Sequence, residues 1–270
     1  MSRILICLAL LTVSAGSCRP AAKTVGTAND PGINLIIDGK LWASFFQQRS
    51  AEYRALCQQA YNIASLRVNE LAVRQSLRPM AIVTDIDETF LDNSPYAVRQ
   101  ALAGRDYEQS SWAEWTARGM ADTLQGALPF FRLAVSRGIA VFYITNREES
   151  ERQGTLANLK KFDFPFADDE HLVMRTSTSS KESRRVALSE KYDIVMLLGD
   201  NLADFSSIFD KKNETDRASA VNAAAAEFGH RFILLPNPVY GGWEESFYQF
   251  NMKRTSAEKD SLIRHSLKGY

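Results

Sequence analysis

The chain has 270 residues, of which 45% are hydrophobic, and its 32 Lys and Arg residues balance 32 Asp and Glu residues. This composition is typical of a folded globular protein and excludes a disordered chain, a collagen and a coiled coil. Because the formal net charge is zero, the chain lacks the broad basic field that non-specific binding to a nucleic acid polymer needs. Any anion-binding site must therefore be local.

The first 17 residues have the pattern of a secretory signal peptide. Arg3 precedes an apolar run from Ile4 to Val13, and small residues at 14–17 stand directly before Cys18. The apolar run is much shorter than the roughly 20 residues that a membrane span needs. The small residues resemble the lipobox of bacterial lipoproteins, which implies a lipidated Cys18 as the mature N-terminus. The alternative is ordinary cleavage near the same place, and both alternatives export the protein.

Residues 18–40 are predicted to form a flexible tether, and the folded domain is predicted over 41–270. The first part of the tether contains Pro, Ala, Thr, Gly and Asn without an apolar period. With Cys7 removed in the signal and Cys18 lipidated, Cys57 is the one remaining cysteine. No intramolecular disulfide is therefore expected.

The periodicity of the domain predicts an α/β fold. From 41 to about 76, apolar residues recur at three- and four-residue steps, which predicts N-terminal helices, with room for two. Short apolar runs of strand length follow at 80–83, 139–144, 194–198 and 231–235, and helix-like segments occupy 127–137, 148–161, 181–191 and 216–229. This alternation predicts a doubly wound parallel sheet that is covered by helices on both faces.

Polar side chains follow three of the predicted strands. They are Asp85 and Asp87, then Thr145 and Asn146, then Asp200 and Asp204. The carboxyl ends of parallel strands meet at one edge of a sheet, so these side chains are expected to lie together. A carboxylate cluster without His or Cys suits a hard cation, and Mg²⁺ is the best match. A calcium loop is excluded because Phe90 stands where such a loop requires glycine.

This pattern resembles the haloacid dehalogenase (HAD) superfamily of phosphohydrolases. More narrowly, Asp85-Ile86-Asp87-Glu88-Thr89 and Gly199-Asp200-Asn201-Leu202-Ala203-Asp204 are similar to the paired signatures of the class C acid phosphatases. These are bacterial outer-membrane lipoproteins that act on nucleoside monophosphates. The resemblance covers about residues 40–245, and its departures at Thr84, Phe90 and Met196 affect no proposed catalytic atom. It implies a HAD-like, Rossmann-like core and a Mg²⁺-dependent acid phosphatase.

The resemblance and the chemistry of phosphate monoesters together assign roles to these residues. Asp85 is expected to attack phosphorus and form an aspartyl-phosphate, while Asp87 protonates the leaving oxygen and then activates water. The resemblance implies that Mg²⁺ is bound by Asp85, by the backbone carbonyl of Asp87, and by Asp200 with Asp204. The expected ligands of the phosphoryl oxygens are Thr145, Asn146 and Lys181, with Arg184 as the alternative to Lys181.

Residues 97–126 are predicted to form a small, mainly helical cap that contacts the leaving group. Tyr107 and Trp112 from this segment, with Tyr240 after the last strand, could form an aromatic slot for a nucleobase. Stacking in such a slot contributes about 1–3 kcal/mol per base. For Trp115, packing of the cap on the core is the favoured interpretation.

The predicted function is a lipid-anchored, Mg²⁺-dependent phosphomonoesterase that prefers 5′-nucleotides and lies at the bacterial outer membrane. One alternative, a phosphomutase, is disfavoured because export removes the protein from cytoplasmic sugar phosphates. The other is a non-catalytic lipoprotein that binds a nucleotide or haem, and it would not require two repelling carboxylates at Asp85 and Asp87. The sequence leaves open the membrane leaflet, and whether the chain forms a homodimer.

Overall fold

The computed structural model describes residues 34–71 and 73–270. The predicted signal peptide, the lipidation at Cys18 and the tether up to residue 33 lie outside the described residues. The folded part begins earlier than residue 41, because helix α1 spans Leu35–Arg49. The side chain of Asn34 accepts a hydrogen bond from the backbone N–H of Ile37 and caps this helix. The tether prediction was therefore too long at its C-terminal end.

Two helices share the N-terminal helical stretch. Helix α1 ends at Arg49, Ser50 has an extended backbone, and helix α2 spans Ala51–Leu71. The buried face of α2 is made of side chains at three- and four-residue spacing, namely Tyr53, Cys57, Ala60, Tyr61, Ala64 and Val68. This face packs against the core, and Cys57 is a free thiol that is fully buried.

A five-stranded parallel sheet forms the centre of the fold, in the order β5-β4-β1-β6-β7. The strands are β1 (Met80–Thr84), β4 (Ala140–Ile144), β5 (Leu172–Val173), β6 (Asp193–Gly199) and β7 (Phe232–Leu234). Four of them coincide with the apolar runs of the sequence, and the predicted doubly wound parallel core is confirmed. Strand β5 escaped prediction because only two residues form it.

Helices cover both faces of the sheet. Ile82 of β1 packs on the side of α2, α5 (Ala127–Ser136) and α6 (Arg152–Lys161), while its neighbours Ala81 and Val83 face the side of α7 (Glu182–Ser189) and α8 (Glu214–Ala223). This alternation follows from the two-residue period of a strand. Two helices complete the C-terminal part, α9 (Gly242–Phe247) and α10 (Ser256–Ser266). Within the described ranges, no helix is both long and apolar enough to cross a bilayer.

The segment between β1 and α5 contains two helices and a small antiparallel pair of strands. Strand β2 (Leu91–Asp92) pairs with β3 (Asp122–Thr123), and α3 (Ser94–Leu102) and α4 (Gln109–Ala117) lie between them. Helix α4 packs closely on α6 at Gly154, where an added Cβ would lie 2.4 Å from the backbone carbonyl of Thr116. The segment is mainly helical, as predicted, and its first elements precede residue 97.

Candidate active site

Three loops meet at the carboxyl edge of the sheet because β4 and β6 are the two neighbours of β1. They contribute Asp85 and Asp87 after β1, residues 145–147 after β4, and residues 200–204 after β6. A cavity of about 610 Å³ opens at this edge, and its wall contains both polar and aromatic side chains. The wall residues include Asp85, Asp87, Asn93, Tyr107, Trp112, Asn146, Arg147, Lys181, Asp200, Asp204 and Tyr240.

Asp85 lies in a compact cluster of carboxylates. One carboxylate oxygen each of Asp85, Asp200 and Asp204 lies within 4.8 Å of the others. The ammonium group of Lys181 donates to Asp85 and lies 2.7 Å from Asp204 Oδ1. The Thr89 hydroxyl is 3.3 Å from both Asp85 Oδ2 and Asp200 Oδ1. We call these residues, apart from Thr89, the Asp85 cluster.

The Asp85 cluster has the charge and the donor atoms that a divalent cation requires. Three carboxylates and one ammonium group leave an excess of two negative charges when all are ionised. All the anionic donors are oxygen atoms, which suits Mg²⁺ better than softer metals. The close position of Asp204 depends on Gly199, since a Cβ there would lie 2.4 Å from Asp204 Cβ. The residues present therefore fit a Mg²⁺ site.

Burial and mutual repulsion disturb the protonation of these groups. Burial, reinforced by the charges of Asp204 and Asp87, raises the pKa of Asp85 to about 7 although Lys181 opposes the shift. Burial, followed by the charges of Asp204 and Asp85, raises the pKa of Asp200 well above its ordinary value. For Lys181, burial disfavours the charged form, but Asp204 and Asp85 outweigh it and raise the pKa. The cluster thus stabilises any additional positive charge, whether a proton or a metal ion.

Asp87 has different surroundings. Arg147 makes a bidentate contact with its carboxylate, in which Nη2 lies 2.7 Å from Oδ1 and Nε lies 3.1 Å from each oxygen. Asn93 donates from Nδ2 to Oδ1 at 2.9 Å. The sequence analysis assigned no role to Arg147, because no local pattern identifies Asp87 as its partner.

The residues predicted to bind phosphate occupy different depths. Lys181 and Asn146 line the cavity, whereas Thr145 is fully buried and its hydroxyl oxygen accepts the N–H of Arg147 at 3.1 Å. Arg184 donates hydrogen bonds to the loop after β4. Its Nη2 donates to Asn146 Oδ1 at 2.8 Å, and its Nη1 donates to the Thr145 carbonyl at 2.6 Å. Of the two alternatives, the structure places Lys181 beside Asp85.

The predicted leaving-group residues also lie at the cavity. Tyr107 is 54% exposed, while Trp112 is mostly buried and packs edge-on against Tyr96 at 5.0 Å between ring centroids. The Tyr240 hydroxyl donates to the buried carboxylate of Glu88.

The interpretation of Trp115 as mere packing was incomplete. Its Nε1 donates to Asn93 Oδ1 at 2.8 Å, which joins helix α4 to the loop that carries Asp87. Asn237, in the loop after β7, is a second site residue that the sequence did not predict. Its side chain donates a hydrogen bond to Asp200 Oδ2 at 2.7 Å.

A parallel sheet that joins an Asp-x-Asp loop, a lysine and two further aspartates at one edge defines a phosphohydrolase of the HAD class. Residues 14–243 match the family described as HAD superfamily, subfamily IIIB (acid phosphatase). The chain therefore belongs to this family, as the sequence resemblance predicted.

Solved structures and curated relatives agree with this assignment. The fold is similar to that of the class C acid phosphatase from Bacillus anthracis, solved with tungstate bound, with a TM-score of 0.84 and 36% identity over 88% of this chain and 100% of that chain. Acid phosphatase 1 from Solanum lycopersicum and the stem 31 kDa glycoprotein from Glycine max are each 27% identical, over 58% and 57% of this chain. This chain spans 57% of the length of each of these two relatives.

Proposed function

We propose that the protein is a Mg²⁺-dependent acid phosphatase that hydrolyses phosphate monoesters through an aspartyl-phosphate on Asp85. The observation that carries this proposal is the position of the Asp85 carboxylate, at a cavity wall beside Lys181 and within reach of Asp200 and Asp204. Mg²⁺ bound by Asp85, Asp200 and Asp204 would offset the repulsion between these carboxylates and an anionic phosphate. The Asp87 backbone carbonyl is a further proposed ligand.

The reaction needs two displacements at phosphorus. A carboxylate oxygen of Asp85 forms a bond to phosphorus while the bond from phosphorus to the leaving oxygen breaks, and Asp87 gives a proton to that oxygen. The Asp87 carboxylate then takes a proton from water. The water oxygen attacks phosphorus and breaks its bond to Asp85, which releases inorganic phosphate and regenerates the enzyme.

Three side chains near Asp85 are proposed to bind the phosphoryl oxygens. The ammonium group of Lys181 offsets negative charge, and Asn146 lines the cavity. The Thr145 hydroxyl oxygen already accepts a hydrogen bond from the backbone N–H of Arg147. Its own O–H is therefore the group that would donate to a phosphoryl oxygen. The tungstate in the Bacillus anthracis enzyme supports a site for a tetrahedral oxyanion in this fold.

Trapping the covalent intermediate tests the proposed mechanism. The enzyme is mixed with p-nitrophenyl phosphate and Mg²⁺ at pH 5.5, quenched in acid and analysed by mass spectrometry. We expect a phosphorylated peptide that contains Asp85 and that is absent from Asp85→Asn. The exposed Asp122 on strand β3 supplies a matched control, Asp122→Asn, which should retain the phosphorylated peptide. Turnover that persists in EDTA, or a phosphoryl group on another residue, would contradict the mechanism.

We further propose that 5′-nucleotides are preferred substrates, since Tyr107, Trp112 and Tyr240 give the cavity an aromatic lining beyond Asp85. Loss of one stacking ring costs about 1–3 kcal/mol, so Tyr107→Ala should raise KM for AMP about tenfold and leave KM for glycerol 2-phosphate nearly unchanged. Tyr107→Phe, which keeps the ring, is the control. Equal effects on both substrates would exclude stacking on Tyr107.

The proposed location is the bacterial outer membrane, with lipid on Cys18. The support is the apolar run followed by small residues in the sequence before this cysteine. Metabolic labelling with radioactive palmitate should label the wild type and Cys57→Ala but not Cys18→Ser, and density-gradient fractionation should place the labelled protein with outer membranes. Labelled protein in Cys18→Ser would show that the lipid is attached elsewhere.

A further inference from the structure

We propose that Arg147 and Asn93 form a clamp that fixes the direction of the Asp87 carboxylate, and that cap helix α4 holds this clamp through Trp112 and Trp115. The proposal rests on the proposed role of Asp87 as the proton donor. Arg147, Asn93, Trp112 and Trp115 are then positioning residues. The cap not only forms a wall of the cavity but also supports proton transfer.

The two carboxylate oxygens of Asp87 accept different sets of hydrogen bonds from the clamp. Oδ1 accepts Arg147 Nη2 at 2.7 Å and Asn93 Nδ2 at 2.9 Å, besides the contact with Arg147 Nε. Within residues 34–71 and 73–270, the hydrogen-bond donor recorded for Oδ2 is the same Nε, at 3.1 Å. A proton on Oδ1 would face two strong donors, so Oδ2 is the oxygen that is available to carry the transferred proton.

Arg147 is itself held in place. Its side chain is 1% exposed, its Nη1 donates to Thr155 Oγ1 at 3.0 Å, and the Thr155 hydroxyl donates onward to the Glu151 carbonyl. The guanidinium carbon lies 5.8 Å from the centre of the Trp112 ring, within the range of a cation–π contact. A planar guanidinium that is fixed on three sides can orient a carboxylate, whereas a mobile surface arginine cannot.

Trp115 determines which way the Asn93 amide faces. An indole N–H can only donate, so its hydrogen bond to Asn93 Oδ1 turns the NH₂ end of the amide toward Asp87. Asn93 is nearly fully buried, and its backbone N–H donates to the Glu88 carboxylate at 2.8 Å. Trp112 and Trp115 are three residues apart on α4 and therefore lie on one face of the helix. One face of the cap helix thus contacts both members of the clamp.

The dependence on the leaving group separates this role from a structural one. An alkoxide is a poor leaving group and needs a proton as its bond to phosphorus breaks, whereas p-nitrophenolate leaves without one. General acid catalysis contributes about 10²–10⁴-fold to a rate. A misdirected Asp87 should therefore slow the hydrolysis of an alkyl phosphate much more than that of p-nitrophenyl phosphate.

The experiment compares kcat/KM for ethyl phosphate and p-nitrophenyl phosphate, because this constant reports the steps up to formation of the phosphoenzyme. We expect Arg147→Gln to lower kcat/KM for ethyl phosphate about 100-fold more than that for p-nitrophenyl phosphate. The corresponding difference should be about 10-fold for Asn93→Ala and about 3-fold for Trp115→Phe, and none of these exceeds the full general-acid contribution. Trp42→Phe, at a tryptophan that is 72% exposed on α1, is the matched control and should leave the ratio unchanged. Thermal midpoints are measured for every variant, and Trp115→Phe keeps an aromatic ring in case the other two variants do not fold.

Asp87→Asn separates failure of the clamp from failure of the proposed function. If Asp87→Asn changes the ratio and Arg147→Gln added to it changes the ratio no further, Arg147 acts through Asp87. If Asp87→Asn changes the ratio while folded Arg147→Gln and Trp115→Phe do not, the clamp is wrong and the acid role stands. If Asp87→Asn lowers both constants equally, the acid role is wrong and the clamp is wrong with it.

Discussion

Asp85 and Asp87 are two residues apart, yet Asp85 lies mainly among negative charges, whereas Asp87 contacts a positive one. Asp85 lies among other buried carboxylates with one lysine, and burial raises its pKa. Asp87 lies against a buried guanidinium that contacts both of its oxygens. In an extended chain, residues i and i+2 share a face, so the loop after β1 must turn to separate them. Glu88 follows with φ at 55°, in the left-handed region.

This difference in surroundings fits the two chemical roles that we propose for one short loop. A cluster with excess negative charge favours a cation, and a bound cation would let an anionic phosphate approach Asp85. A carboxylate fixed by an arginine keeps a defined direction, which proton transfer to a leaving oxygen requires. The comparison predicts that changes around Asp85 alter metal binding and all turnover, whereas changes around Asp87 alter the choice of leaving group.

The largest expected effect is that of Asp85→Asn, because the change removes the proposed nucleophile. We expect kcat for every phosphate monoester to fall by about four orders of magnitude or more, the scale seen when a nucleophile is removed from other enzymes. Measurement with p-nitrophenyl phosphate and ethyl phosphate checks the comparison with Asp87. A loss restricted to one of the two substrates would show that Asp85 is not the nucleophile.

Lys181→Met should have the next largest effect. Loss of a cation that stabilises developing charge costs about 10²–10³-fold in kcat. The same change removes a positive charge from the Asp85 cluster, so Mg²⁺ should bind more tightly, as measured by isothermal titration calorimetry. Lys160→Met, at an exposed lysine of α6, is the control for loss of charge alone. Weaker Mg²⁺ binding in Lys181→Met would show that the lysine orders the carboxylates instead of competing with the metal.

The metal-free protein should lose stability as the pH rises from about 4 to about 7. The pKa of Asp85 is raised from 3.8 to about 7 by burial, so the folded state binds more protons than the unfolded state in this window. Each such group contributes a slope of at most about 1.4 kcal/mol per pH unit to the unfolding free energy. Thermal melts in EDTA at pH 4, 5.5 and 7 measure the loss, and Mg²⁺ should reverse it. Equal melting temperatures at all three pH values would contradict this account.

Arg184→Gln should have the smallest effect, about two- to tenfold in KM. Arg184 orients Asn146 by donating to its Oδ1, which leaves Asn146 Nδ2 to face other partners. Its loss should weaken phosphate binding while the ratio between leaving groups stays unchanged. Arg137→Gln, at an exposed arginine of the α5 C-cap, is the control. A changed ratio of kcat/KM between ethyl phosphate and p-nitrophenyl phosphate would show that Arg184 also helps to position Asp87.

The sequence predicted the core because its strands are buried and therefore continuous in apolar residues. Strands β1, β4, β6 and β7 stood out for this reason, whereas β5, with two residues after a run of acidic side chains, did not. The start of α1 was readable from Asn34 as an N-cap before buried Ile36 and Ile37. Helix α10 was also missed, although Thr255 and Glu258 form a capping box at its start.

The residues of the candidate site also fall into a part that the sequence predicted and a part that it did not. Residues at strand ends, such as Asp85, Asp87 and Asp200, could be grouped because parallel strands end at one edge. Partners that approach from other elements could not be derived. The contacts of Trp115 with Asn93 and of Asn237 with Asp200 depend on how the cap and the loop after β7 pack, and no spacing in the sequence encodes that approach.

Because α1 begins at Leu35, the first residue chosen for a truncated recombinant protein matters. Lys40 of α1 lies 2.6 Å from Asp106, and the same Asp106 oxygen accepts the backbone N–H of Tyr107 at the cavity mouth. A truncation that began at residue 41 would remove the N-terminal turns of the helix together with this lysine. Proteins intended for crystallisation or assay should therefore retain Asn34, so that an apparent loss of substrate affinity is not produced by the choice of the first codon.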